Sequence, residues 1–108
     1  MSAGLEPMLR LLGLLPAPAR GQMVQMYTEL LAAQVDALAA ALREPDADTI
    51  ALLHKLAGSA AMMQDQDLSQ PARAMERALR EDRANEARHL LPQLQAAAAR
   101  TLAALRAL

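Results

Sequence analysis

His54 is the side chain best suited to chemistry near neutral pH, because a neutral imidazole is a nucleophile there. Lys55, the single lysine of the chain, follows it directly, and Gly58 lies one helical turn on. At about 100° per residue, Leu52, Leu53, Leu56, Ala60 and Met63 gather on one side of a helix while His54 points to the other. Ile50, Ala51, Ala57, Gly58 and Ala61 share the histidine's side. A glycine inside a helix costs roughly 1 kcal/mol relative to alanine, and the sequence offers no structural need for one. A missing side chain beside the imidazole would let a bulky partner reach the ring. The same spacing fits an ordinary exposed histidine beside a neutral glycine, since lone surface histidines are common.

The remaining composition narrows the chemistry. No cysteine is present, which excludes disulfides and thiolate metal sites. A net charge of −1 and the absence of tryptophan and phenylalanine argue against nucleic acid, which calls for a basic surface or stacking aromatics. The sequence contains no GxxxxGK phosphate loop, no glycine-rich nucleotide lid and no carboxylate cluster for Mg²⁺. No cofactor or metal site is therefore expected, nor self-phosphorylation from ATP. His89 has neither a nearby glycine nor a motif and reads as plain surface.

The elements that must hold His54 are helices. Alanine and leucine dominate, and β-branched residues are few. Gly13, Pro16 and Pro18 end a short first helix over about Glu6 to Leu12. A second runs from about Ala19 to Arg43, with Val24, Tyr27, Leu31, Val35, Leu38 and Leu42 stepping by three and four. After Pro45, Asp46 or Asp48 can cap a third helix from Thr49 to about Met63. Gln64 to Asp67 reads as a polar turn. The fourth helix takes Leu68 to Arg80, with Leu68, Ala72, Met75 and Leu79 inward. The fifth runs from about Asn85 to the C-terminus on Leu91, Leu94, Ala98, Leu102 and Leu105, with Pro92 leaving a bend or a missing bond. The fold class is all-α: one domain over residues 1–108, an up-down four-helix bundle with a short extra N-terminal helix. The apolar run Leu9 to Leu15 is too short for a signal peptide and is interrupted by Arg10. Nothing is long enough to span a membrane, so a cytoplasmic protein is expected.

The run His54-Lys55-Leu56-Ala57-Gly58-Ser59-Ala60 resembles the signature of bacterial histidine phosphotransfer domains: histidine, any residue, an aliphatic, lysine, glycine, then serine or alanine. The resemblance continues through Leu68 into Ala74-Met75-Glu76, where such domains commonly read Ala-Leu-Glu. It implies that His54 is the phosphoacceptor and that Glu76 accepts a hydrogen bond from the other ring nitrogen. It implies a relay intermediate that is not an enzyme in its own right. His54 would take a phosphoryl group from a receiver-domain aspartyl phosphate and pass it to another receiver aspartate. The partners would be response-regulator receiver domains and a hybrid sensor histidine kinase, with Mg²⁺ on the receiver. Two positions depart from the pattern. The lysine three residues after the histidine is Ala57, and the glycine ten residues after it is Gln64, which points to a differently built turn.

Several residues have two readings. Glu76 lies about 80° from Leu68 on the helical wheel, at the edge of the buried stripe, and could reach His54. It could instead pair with Arg80 four residues on. Lys55, Arg73 and Arg80 are candidate partners for phosphate charge, guanidinium being well shaped for phosphate oxygens, or solubilising charges. Ile50, Ala51, Ala57, Ala61 and Met62 form the expected docking surface on a monomeric domain. The rival function is a helical adaptor that docks a signalling partner without phosphotransfer.

Overall fold

Proline and aspartate punctuation divides the chain into five α-helices. In the structure, a computed structural model that describes residues 3–108, these are α1 (Glu6–Gly13), α2 (Ala17–Ala41), α3 (Ala47–Met62), α4 (Gln66–Arg80) and α5 (Ala84–Arg106). Each boundary falls within two residues of its expected place, and a 3₁₀ turn at Ala3–Leu5 precedes α1. α3 packs on α4, α4 on α5, α5 on α2 and α2 on α3, which closes a four-helix bundle. The inward stripes meet along its axis, where Leu31, Leu38, Leu53, Leu56, Leu68, Met75 and Leu94 are fully buried. Leu52 is only half-buried. α1 packs on α2 and the 3₁₀ turn on α4, adding Leu5, Met8 and Leu12 to the core. Arg20 ties down the chain after α1. Its Nε donates to the Leu12 carbonyl, which also accepts from the Leu15 amide, and its Nη2 donates to the Leu15 carbonyl, both guanidinium contacts at 3.0 Å. No helix among the described residues is long and apolar enough to cross a membrane.

α3 is fixed at both ends. At its start Asp46 and Thr49 form a capping box, the Thr49 amide donating to Asp46 Oδ1 and the Asp46 amide to Thr49 Oγ1, each at 3.1 Å. That satisfies two donors reciprocally. At its end the Asp65 amide donates to the Ala60 carbonyl at 2.8 Å and the Gln64 amide to that of Ala61 at 3.1 Å. This is a Schellman closure, with Gln64 in the left-handed region at φ 61°. The turn expected to be built differently thus keeps the conformation a glycine adopts most easily, and a glutamine carries the strain.

The polar run after α3 is also corrected in part. Asp65 is fully buried. Its Oδ2 accepts from Tyr27 Oη of α2 at 2.9 Å and from Thr101 Oγ1 of α5 at 2.8 Å, so one carboxylate ties together three parts of the bundle. Oδ1 has no hydrogen-bond partner. Burial pushes the Asp65 carboxyl up from its ordinary range, against the lowering effect of Thr101, Tyr27 and the nearby Leu68 amide. Burial, with the Asp65 charge and hydrogen bond, raises Tyr27 as well. Pro92 and Pro71 both sit inside helices that continue past them.

Candidate functional site

Burial of Leu53, Leu56, Ala57 and Ala60 sets the rotation of α3 and turns His54 outward, with 73% of its side chain exposed. On α4, burial of Ala72, Met75 and Ala78 leaves Glu76 at the edge of the helix interface, its side chain 14% exposed. The two edges meet. His54 Nδ1 lies 3.1 Å from Glu76 Oε2, and the same oxygen accepts from Arg80 Nε at 3.0 Å and Nη2 at 2.9 Å. Glu76 therefore contacts His54 and Arg80 at once. An oxygen that takes two guanidinium N–H groups is an acceptor, so the proton of this contact sits on Nδ1. In the neutral ring, that leaves the Nε2 lone pair directed away from Glu76.

Gly58 is exposed, and a Cβ built there would meet no atom within 4 Å. Nothing inside the domain requires a glycine at that place. Arg73, Arg77 and Arg80 surround Glu76 in a shallow depression of about 290 Å³. Arg77 is an addition to the sequence reading, which took only Arg73 and Arg80 from this helix; their spacing of seven leaves Arg77 one turn from each. Lys55 is exposed beside His54 but does not line the depression.

The expected docking set does not gather into one surface. Ala57 is buried and belongs to the core, because it follows Leu53 by one full turn and falls within the buried arc of α3; it is removed from the set. Ile50 and Ala61 are half-buried and Ala51 is exposed. Met62 is 81% exposed, and it opens onto a feature the sequence reading missed. An apolar groove of about 550 Å³ runs between α2 and α3, lined chiefly by Met23, Met26, Leu30 and Met62, with Tyr27 and Met63 as further walls. The signal lay in α2, where positions 23, 26 and 30 form a second apolar row beside Tyr27 and Leu31. That face is wider than one core contact needs.

The sequence of residues 22–107 matches the family described as Hpt domain. The chain belongs to the Hpt domain family. Hpt domains carry a phosphoryl group on a histidine within two-component phosphorelays. They exchange it with receiver domains and kinases as transfer intermediates, without a kinase site. The match spans most of α2 and all of α3 and α4, and reaches the end of α5. The 3₁₀ turn and α1 lie outside it. Comparison with curated proteins and with solved structures returned no match.

Proposed function

We propose that His54 is the phosphoacceptor of this Hpt domain. It takes its phosphoryl group from the aspartyl phosphate of one response-regulator receiver domain and hands it to the aspartate of another. A hybrid sensor histidine kinase is the natural source of the first receiver. The observation that carries this reading is the contact between His54 Nδ1 and Glu76 Oε2 at 3.1 Å on a ring otherwise open to solvent. The proton is held on Nδ1 and the free lone pair on Nε2. That lone pair attacks the phosphorus, the bond from phosphorus to the aspartate oxygen breaks, and the carboxylate leaves with its electrons. The transition state is loose, so position and charge matter more than covalent machinery. Glu76 then offsets the positive charge of the phosphorylated ring. Arg73, Arg77 and Arg80, with Lys55 from α3, supply positive charge toward the phosphoryl oxygens. Mg²⁺ belongs to the receiver, and Gly58 keeps the approach to the ring clear.

The receiver docks over His54, Ala51 and the methionine-lined groove. Met62 follows His54 by eight residues, about 12 Å along the helix axis. A standard interface covers about 800 Å² per partner, a patch roughly 30 Å across, so a domain centred on the imidazole reaches the groove. Methionine suits such a surface, being flexible and polarisable enough to fit a transient partner.

The test is transfer of labelled phosphate from a panel of phosphorylated receiver domains to the full chain. Wild type should take acid-labile label, and His54→Gln should take none while keeping its helical circular dichroism. Label persisting on His54→Gln would overturn the assignment, and label on His89 would relocate it. Docking without label on wild type would favour the adaptor.

A further inference from the structure

The apolar groove is made of the side chains most easily oxidised in this protein. Its rim carries Met62 at 81% exposure and Met26 at 69%, with Met23 also exposed. Met8, Met63 and Met75 are buried. Nothing in the packing demands sulfur at the three rim positions, since leucine would give comparable apolar area, as Leu30 does in the same groove. Beyond the flexibility that suits a docking surface, methionine adds a thioether that oxidants reach.

We propose that Met62, Met26 and Met23 are an oxidation site through which a peroxide-class oxidant reversibly weakens docking of the receiver domain. The docking half of this rests on the phosphorelay reading above. A thioether lone pair attacks one peroxide oxygen, the O–O bond breaks, and a sulfur–oxygen bond forms as water departs. Sulfur is oxidised by two electrons and the peroxide is reduced by two. The sulfoxide is polar and chiral, and disrupts methionine-rich contact surfaces. The groove walls are mostly apolar, with Ser59 and Glu29 as polar exceptions and the Tyr27 hydroxyl already committed to Asp65. Most added oxygens must therefore lose their water when a partner closes over them, with few donors to replace it. The buried methionines hold the core, so oxidation at the rim leaves the fold and the His54–Glu76 contact intact. Methionine sulfoxide reductases reverse the change.

The experiment treats the full chain with dilute hydrogen peroxide and maps sulfoxides by peptide mass spectrometry. Met62 and Met26 should oxidise about tenfold faster than Met63 and Met75, in keeping with their exposure. Binding of the apolar dye anilinonaphthalene sulfonate should fall severalfold with the midpoint of thermal unfolding little changed. Transfer from a phosphorylated receiver should slow by about fivefold or more, while labelling of His54 by phosphoramidate, a donor too small to need the groove, stays constant. Reductase treatment should restore both dye binding and transfer. In Met23→Leu/Met26→Leu/Met62→Leu the ratio of treated to untreated binding should return to about one, whatever its own basal rate. Equal oxidation of buried and rim methionines, or complete rim oxidation with dye binding and transfer unchanged, would overturn the inference. If no receiver labels the untreated domain, the phosphorelay reading falls, and the oxidation map with dye binding decides this one.

Discussion

Glu76 and Asp65 each gather hydrogen bonds from side chains beyond their own turn, Glu76 at the rim of the bundle and Asp65 with no exposure at all. At Glu76 both donors, His54 and Arg80, are more than half exposed, so water can replace either contact. At Asp65 the donors are hydroxyls of buried residues on α2 and α5, removed from bulk solvent. The same chemical group is thus an adjustable accessory in one region and a tie between helices in the other. The difference lies in what happens when it is removed.

The largest stability effect should come from the buried cluster. Asp65→Ala leaves the Tyr27 and Thr101 hydroxyls without their acceptor and should destabilise the domain by about 3 kcal/mol, measured by urea unfolding. A loss below about 1 kcal/mol would mean that water or a rearranged turn replaces the carboxylate. Asp65→Asn tests the charge itself. The carboxyl is pushed up by burial in the folded state, so the folded protein holds this proton more tightly than the unfolded chain does. The stability that the group contributes is full below the ordinary carboxylate pKa of about 3.9 and is lost as pH rises through the raised folded value. Asp65→Asn should therefore gain on wild type as pH rises from mildly acid to neutral. Parallel stability curves for the two proteins would refute the upward shift of the Asp65 carboxyl.

The helices were legible in the sequence because their signals are local: an apolar step of three and four, a proline, an aspartate at a cap. The outward direction of His54 and the edge position of Glu76 follow from the same period once the buried stripe is known. Asp65 was not legible. Its burial is decided by Tyr27, 38 residues earlier, and Thr101, 36 residues later, while its immediate neighbours are those of a solvated turn. Half of the groove was legible, as the second apolar row of α2 at positions 23, 26 and 30, but the pairing with Met62 of α3 that completes it is not local. Ala57 was misplaced because a helical wheel cannot say how far a partner helix wraps around the stripe.

A smaller effect is expected at the exposed site, and with opposite signs in two measurements. Gly58→Ala meets no atom of the domain and should raise stability by about 1 kcal/mol through helix propensity alone. Gly58→Leu should also leave the fold stable, yet slow phosphoryl transfer from a receiver because its side chain stands beside the imidazole. Normal transfer in Gly58→Leu would remove access as the reason for the glycine.

Next to Asp65, Gln64→Gly should relieve the left-handed backbone at φ 61°. The gain should be about 0.5 kcal/mol, because glycine's extra freedom in the unfolded chain offsets part of the relief. Asp82, at φ 59° in the same closure after α4, should gain less on replacement by glycine, since aspartate tolerates this region better than glutamine. Equal gains at the two turns would mean that backbone strain does not distinguish them.

The stability effect at Glu76 is also small, and here tautomer is the sharper measurement. Glu76→Ala removes one exposed ion pair with Arg80 and one contact with His54, together worth no more than about 0.5 kcal/mol. The ring, however, loses the acceptor that holds its proton on Nδ1. The ¹⁵N shifts of the His54 ring, recorded where the imidazole is neutral, should move away from the Nδ1-protonated pattern in Glu76→Ala. Glu76→Gln can still present an amide oxygen to Nδ1 and should retain that pattern. Transfer rates should follow the tautomer, falling modestly in Glu76→Ala and less in Glu76→Gln, because the nucleophile itself is untouched. An unchanged ¹⁵N pattern in Glu76→Ala would reduce Glu76 to a partner of Arg80, and the contrast with Asp65 would become one of burial alone.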